Sequence, residues 1–293
     1  MGNFDFEELR NTRAAHPERL SEIYAARTRR EVVEGDGRLF IIAADHPARG
    51  ALSVRDDELA MANRYQLLEN LALALSRPGV DGVLGTPDII DDLALMGVLD
   101  GKLVVGSMNR GGLRGSVFEM DDRITGYDVD GLVRDRLDFG KMLNRVNLAD
   151  AGTANMLEAT HQAVSQAASA KLPIMLEPFM SVWQAGKIQN DLSTEAVINA
   201  VSIANGLGNS SAYTWLKLPV VDRMEEVMQA TTLPTLLLGG DPVGDQEKTF
   251  DAWGNALCLP GVKGLVVGRT LLYPQDGNVE AAIDAAVSLV HGK

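Results

Sequence analysis

Two lysines stand out because each interrupts an apolar run. Lys217 lies in Tyr213-Thr-Trp-Leu-Lys-Leu-Pro219, and Lys141 lies in Phe139-Gly-Lys-Met-Leu-Asn-Arg-Val146. An ammonium buried without a partner is costly. Lys217 is therefore a side chain reaching solvent at a strand edge, half of a structural ion pair, or a reactive amine. Two lysines converging on one site repel, and burial adds to the effect, so one of them should have a lowered pKa. A neutral amine at physiological pH is what a Schiff-base nucleophile requires. Asp45, in Ala44-Asp-His-Pro-Ala-Arg-Gly-Ala-Leu52, and Glu177, in Pro173-Ile-Met-Leu-Glu-Pro178, supply carboxylates for proton transfer and for charge balance.

A second group of residues suits an anion. Gly239-Gly240 and Gly268-Arg269 each follow an apolar run. Glycine lets the backbone approach a phosphate, and Arg269 adds a charge-assisted contact. A single Gly-Gly more often marks a tight turn; two such pairs at neighbouring strand ends form a stronger signal. His46 is either a substrate ligand or a cap on its loop. Arg49 and Arg145 bind a substrate carboxylate or second phosphate, or else form structural salt bridges. Asn109-Arg110-Gly111-Gly112 reads as a flexible loop suited to a lid. Trp183, Trp215 and Trp253 read as packing residues, and Met108, Met142, Met175 and Met180 as core filler.

Metal chemistry has little to work with. The four histidines (His16, His46, His161 and His291) are scattered without a ligand spacing, and Cys258 is the single cysteine. No metal and no cofactor is expected.

These groups need a scaffold that brings them together. Eight candidate strands recur along the chain: Leu39–Asp45, Gly82–Gly85, Lys102–Gly106, Phe139–Val146, Pro173–Glu177, Tyr213–Leu218, Pro234–Gly239 and Gly264–Gly268. Several are continuously apolar, as in strands covered on both faces. Helical patterns separate them. Val197, Val201 and Ala204 make one stripe, stopped by Gly206 and Gly208, and Asp222 with Glu225 forms a capping box ahead of Met224, Val227 and Met228. A last helix lies near Ala281–Val290. The alternation predicts an α/β fold, a (β/α)8 TIM barrel, as one domain over 1–293. An open doubly wound sheet is the alternative, but its Gly-x-Gly-x-x-Gly turn is missing after the first strand. Residues 1–36 form an extension, helical over about 4–33, that caps the barrel or joins a subunit interface. In such barrels the active site gathers at the C-terminal strand ends, where Asp45, Glu177, Lys217, Gly239-Gly240 and Gly268-Arg269 fall, while Lys141 and Arg145 lie on strand four.

Composition narrows the partners. With 40 acidic and 27 basic residues the net charge is −13, which disfavours nucleic acid and anionic membranes. No apolar run is long enough to span a bilayer. The acidic N-terminus lacks a secretory pattern, and Phe6 stands where myristoylation needs Ser or Thr, so a cytoplasmic protein is expected.

With these motifs the sequence resembles the class I aldolases of the barrel group that includes tagatose-bisphosphate and archaeal-type fructose-bisphosphate aldolases, over most of residues 38–275. The resemblance rests on Asp45 followed by Arg49-Gly-Ala-Leu52, on Lys141 and Glu177, on Leu216-Lys217-Leu-Pro219, and on Gly268-Arg269. Two features differ: two extra residues separate Asp45 from Arg49, and Gly239-Gly240 stands where deoxyribose-phosphate aldolases carry a second lysine. Within the group the chain is most similar to actinobacterial proteins associated with myo-inositol catabolism. The resemblance implies a metal-independent aldolase that forms its imine on Lys217 and clamps phosphate with Gly268-Arg269. It implies 2-deoxy-5-keto-gluconate 6-phosphate as substrate, giving dihydroxyacetone phosphate and malonic semialdehyde. The alternatives are a phosphosugar isomerase or epimerase, with Glu177 as base and Lys141 as electrophile, and a non-catalytic phosphosugar-binding barrel. A homo-oligomer acting on a small phosphorylated sugar is the expected assembly.

Overall fold

The computed structural model describes residues 4–110, 112–240 and 246–292. Among these, nine strands form: β1 (Leu39–Ala43), β2 (Gly82–Gly85), β3 (Leu103–Ser107), β4 (Phe139–Val146), β5 (Ile174–Gln184), β6 (Lys187–Asn190), β7 (Thr214–Leu218), β8 (Thr235–Leu238) and β9 (Val262–Val267). All but β6 are parallel, in the order β4-β3-β2-β1-β9-β8-β7-β5, and a β4–β5 pairing closes the ring. The architecture is a (β/α)8 barrel. Helices lie between successive strands on the outside, among them Arg64–Ser76 after β1, Gly152–Ala170 after β4 and Val279–His291 after β9.

Strand alternation divides the apolar residues into two shells. Leu39, Ile41 and Ala43 of β1 face the barrel interior with Val105, Phe139, Met175, Leu236 and Val266. Phe40, Ile42, Leu176, Leu216 and Leu218 face outward into the layer beneath the helices. The interior residues therefore have odd numbers on β1, β4, β5 and β7. That parity carries Asp45, Lys141, Glu177 and Lys217 to the inside. Below them Phe139 and Trp215 meet edge to face at 5.5 Å and fill the barrel.

Strand boundaries differ from the sequence reading in one instructive place. β5 does not stop at Glu177 but continues through Pro178 to Gln184 and turns back as β6, an antiparallel arm with Gln184 opposite Lys187. The turn uses Ala185 (φ 50°) and Gly186 (φ 73°), a two-residue hairpin with Ala where Asn or Gly is the usual occupant. Trp183 sits on this arm, exposed, and donates its indole N–H to Asp150 at 2.5 Å, so it is not a packing residue of the core. The capping box of Asp222 and Glu225 also fails to form. The helix there starts at Met224 with Arg223 at the cap position, and the Arg223 side chain pairs with Glu195 and Glu226.

The N-terminal extension is helical over Phe6–Ala15 and Arg19–Ala26 and then leaves the helix at Arg27. The reason is a set of arginine contacts across the N-terminal ends of the strands. Asp138, just before β4, binds Arg27 at 3.1 Å and Arg29 at 2.8 Å and also accepts the N–H of Val104. Asp81, just before β2, accepts the N–H of Phe40 and pairs with Arg30. The extension thus caps the end of the barrel opposite the candidate site. Asp138→Ala strands a buried guanidinium and a strand N–H, so it should lower stability by about 3–5 kcal/mol. The check is a fall in the urea midpoint at unchanged slope; an unaltered midpoint would show that the arm contributes nothing.

No helix among the described residues is long and apolar enough to cross a membrane.

Candidate active site

The strand registers place the four central side chains at one level. Lys141 lies opposite Met175, and Glu177 lies opposite Leu143, so Lys141 and Glu177 are diagonal neighbours across β4 and β5. Met175 pairs with Trp215 across β5 and β7, which sets Lys217 two residues further on beside Glu177. Asp45 follows β1 after one more residue, with the inward parity of that strand.

The result is a continuous chain of ion pairs. Lys217 Nζ contacts Glu177 Oε1 at 2.9 Å, Glu177 Oε2 contacts Lys141 Nζ at 2.7 Å, and Lys141 Nζ contacts Asp45 Oδ2 at 2.8 Å. All four are buried, with side-chain exposures from 4% to 11%. The buried Ser107 hydroxyl adds a longer contact to Asp45 Oδ2 and donates to the Asn109 carbonyl at 3.0 Å.

The two lysines are not equivalent. Burial disfavours charge on both, but Lys141 lies between two carboxylates, and their attraction raises its pKa above the ordinary value. Among the described residues the ion-pair partner of Lys217 is Glu177 alone, which Lys141 also binds. Burial, assisted by repulsion from Lys141, pulls the Lys217 pKa down against the attraction of Glu177. Burial acts on the carboxyls too, but the lysines outweigh it and hold both Asp45 and Glu177 below the usual carboxylate range. The cluster therefore contains one lysine fixed as a cation and one biased toward the free amine.

Above the cluster lies a cavity of about 40 Å³, lined by Asp45, His46, Arg49, Arg110, Lys141, Leu143, Glu177 and Lys217. His46 is held neutral: burial lowers its pKa well below the ordinary value, and Arg269, Arg49 and Lys217 add to this against the pull of Asp45. Its Nδ1 is 3.8 Å from Asp45 Oδ1. Arg49 ends a short turn, His46–Arg49, that closes on Gly50 in the left-handed region.

The expected phosphate residues lie beside this cavity rather than on its wall. Gly268, just after β9, passes close to β1; a Cβ there would stand 2.2 Å from the Ala43 carbonyl oxygen. A Cβ on Gly239 would collide with Val267. Both glycines thus have a packing reason independent of any ligand. Gly240 has φ +70°, and residues 241–245, which follow it, lie outside the described residues. Arg269 donates to the Ser53 carbonyl at 3.4 Å and is close enough to act on His46. Arg145 is placed differently from the other candidates. It is buried and bound to Glu119, at 2.8 Å through the carboxylate and 3.3 Å through the backbone carbonyl, so the salt-bridge alternative describes its surroundings.

Several members of the site were not legible in the sequence. Arg110 reaches the cavity although the Asn109-Arg110-Gly111-Gly112 run reads as a loose loop. Gly111 lies outside the described residues, but Asn109 is buried and its amide clasps both the N–H and the carbonyl of Leu143, at 2.9 and 2.8 Å. An arginine directly after a strand-end asparagine was the available signal. Among the described residues, no group of three or more His, Cys, Asp or Glu side chains is arranged to hold a metal ion.

With this geometry in hand, comparison with known proteins places the chain. No curated protein matches it. A crystal structure of Cgl0159 from Corynebacterium glutamicum is 66% identical, covering 98% of this chain and 96% of that one, with a TM-score of 0.95. An archaeal fructose-1,6-bisphosphate aldolase with its catalytic lysine bound to a carbinolamine intermediate is 19% identical over 93% of this chain and 100% of that one, with a TM-score of 0.65. A fructose-bisphosphate aldolase from Slackia heliotrinireducens is 14% identical over 95% and 92% of the two chains, with a TM-score of 0.62. The last two share the barrel fold. The Cgl0159-like family model matches residues 37–287, most of the barrel and all four central side chains, and the chain belongs to the Cgl0159-like family.

Proposed function

We propose that the protein is a metal-independent class I aldolase that cleaves a phosphorylated keto sugar acid or ketose through an imine on Lys217. The observation that carries this reading is the unequal sharing of two carboxylates by two buried lysines, which supports Lys217 as the nucleophile and Lys141 as the charged partner. The carbinolamine on the catalytic lysine of the archaeal aldolase of the same fold supports it.

The reaction follows from the contacts. The neutral Lys217 amine adds to the ketone carbon. Glu177, ionised and 2.9 Å from that nitrogen, takes the proton it loses and passes it to the oxygen, and a further proton from solution lets the oxygen leave as water. The iminium that remains is the electron sink. Asp45 or Glu177 removes the proton of the hydroxyl beyond the scissile bond; the bond's electrons flow to the iminium, an aldehyde departs, and an enamine stays on Lys217. Protonation at carbon and addition of water then release the second product and the free amine. Lys141, held between Asp45 and Glu177, stabilises the negative charge developing on the hydroxyl oxygen. The favoured substrate is 2-deoxy-5-keto-gluconate 6-phosphate, which would give dihydroxyacetone phosphate and malonic semialdehyde.

The test is borohydride reduction in the presence of dihydroxyacetone phosphate, followed by peptide mapping. A stable adduct on the peptide that contains Lys217 is expected; no adduct, with turnover intact, would overturn the imine. Arg269→Ala should raise KM for phosphorylated substrates about ten- to a hundredfold, the worth of one charge-assisted contact. An equal effect on unphosphorylated analogues would remove Arg269 from the phosphate site.

A further inference from the structure

Arg49 and Arg110 are an unexplained pair. They belong to loops far apart in sequence, after β1 and β3, yet both line the cavity that ends on Lys217. A backbone bond from the Arg114 N–H to the Arg49 carbonyl, 3.0 Å, ties the two loops together. Arg110 is anchored from below by Asn109, which holds both backbone groups of Leu143. Nearby Glu119 is already committed, to Arg145 and to the Gly115 N–H. Among the described residues neither Arg49 nor Arg110 has a carboxylate within ion-pair distance. The two acids of the lining, Asp45 and Glu177, are taken by Lys141 and Lys217, so on a chain of net charge −13 two guanidiniums without an ion-pair partner at one cavity mouth favour an anion.

We infer that Arg49 and Arg110 form a second anion subsite, separate from Gly268-Arg269, that takes a carboxylate at the far end of the substrate. This rests on the aldolase reading above and adds to it the part of the substrate that becomes the aldehyde. A carboxylate is favoured over a second phosphate by size. Planar guanidinium forks bind either anion in bidentate fashion, but the cavity they border is only about 40 Å³, which suits the smaller, flat group. The placement also fits the chemistry. With the carbonyl on Lys217 and the phosphate toward Arg269, the guanidiniums left in the cavity lining for the other end of the substrate are those of Arg49 and Arg110. Arg110 is exposed at the rim and Arg49 half-buried, so both are more accessible to a ligand than the buried cluster.

The experiment compares substrates that share the dihydroxyacetone phosphate half and differ at the far end: 2-deoxy-5-keto-gluconate 6-phosphate with its carboxylate, fructose 1,6-bisphosphate with a phosphate, and fructose 1-phosphate with a hydroxymethyl group. For Arg110→Ala and Arg49→Ala, the kcat/KM ratio of the acid to fructose 1-phosphate should fall about ten- to a hundredfold, mainly through KM. Arg110→Lys should recover part of it by restoring charge without the fork. A ratio unchanged in both alanine variants overturns the subsite. A larger loss for the bisphosphate than for the acid overturns its assignment to a carboxylate. Failure of the aldolase reading shows separately, as absence of a borohydride-trapped adduct with dihydroxyacetone phosphate in the unsubstituted protein. An adduct together with an unchanged ratio condemns the subsite alone.

Discussion

Lys217→Ala abolishes borohydride trapping and turnover together, with the rate falling by roughly four orders of magnitude or more, as for the loss of other covalent nucleophiles. No other group in the cavity can replace it. Among the described residues lining it Lys141 is the one other amine, and its two carboxylate contacts at 2.8 and 2.7 Å favour its protonated form. The fold should tolerate the change, because Glu177 keeps its bond to Lys141. Lys217→Arg is the informative companion. It restores the positive charge beside Glu177 but supplies a group that stays protonated at any working pH, so it too should be inactive. Mass spectrometry of the reduced complex decides the outcome. An adduct at full yield in Lys217→Ala, or one that maps to Lys141, would reverse the assigned roles.

Lys141→Met produces a different defect. The cluster then has two carboxylates and a single lysine, and Glu177 acts on Lys217 alone. With the repulsion from Lys141 gone and the attraction of Glu177 undivided, the pKa of Lys217 must rise from its lowered value. The free amine is the reactive form, so the ascending limb of the pH–rate profile moves to higher pH. At neutral pH less nucleophile is present. Turnover should drop by about 10²–10³-fold, since a charged donor to the developing oxyanion is also lost, while trapping survives at alkaline pH. A stability loss of about 3–5 kcal/mol should accompany it, because Asp45 loses its 2.8 Å partner. A limb that stays in place would show that Lys141 does not set the ionisation of Lys217.

The division between what sequence and tertiary structure determine follows from the range over which each interaction acts. The barrel was readable from local pattern: eight apolar runs with intervening 3.6-residue stripes specify βα units, and the period of two along each strand already places Lys141, Glu177 and Lys217 on faces of fixed parity. Two lysines inside apolar strands were enough to suggest amine chemistry, since an apolar run has no local use for an ammonium. The hairpin arm was hidden because Pro178 reads as a strand end and Ala185 occupies a turn position that Asn or Gly would have advertised. Arg110 was hidden because nothing in Asn109-Arg110-Gly111 shows that Asn109 clasps Leu143, 34 residues away. Arg145 was ambiguous for the same reason, since its partner Glu119 is 26 residues distant and on another loop. The difference between the lysines is the clearest case. Both are single lysines in similar apolar strands, and no local rule separates them. Closure of β4 onto β5 gives Lys141 two carboxylates and leaves Lys217 to share one of them. Electrostatic energy in a buried site depends on distances between atoms from β1, β4, β5 and β7, and those distances exist only once the ring has closed.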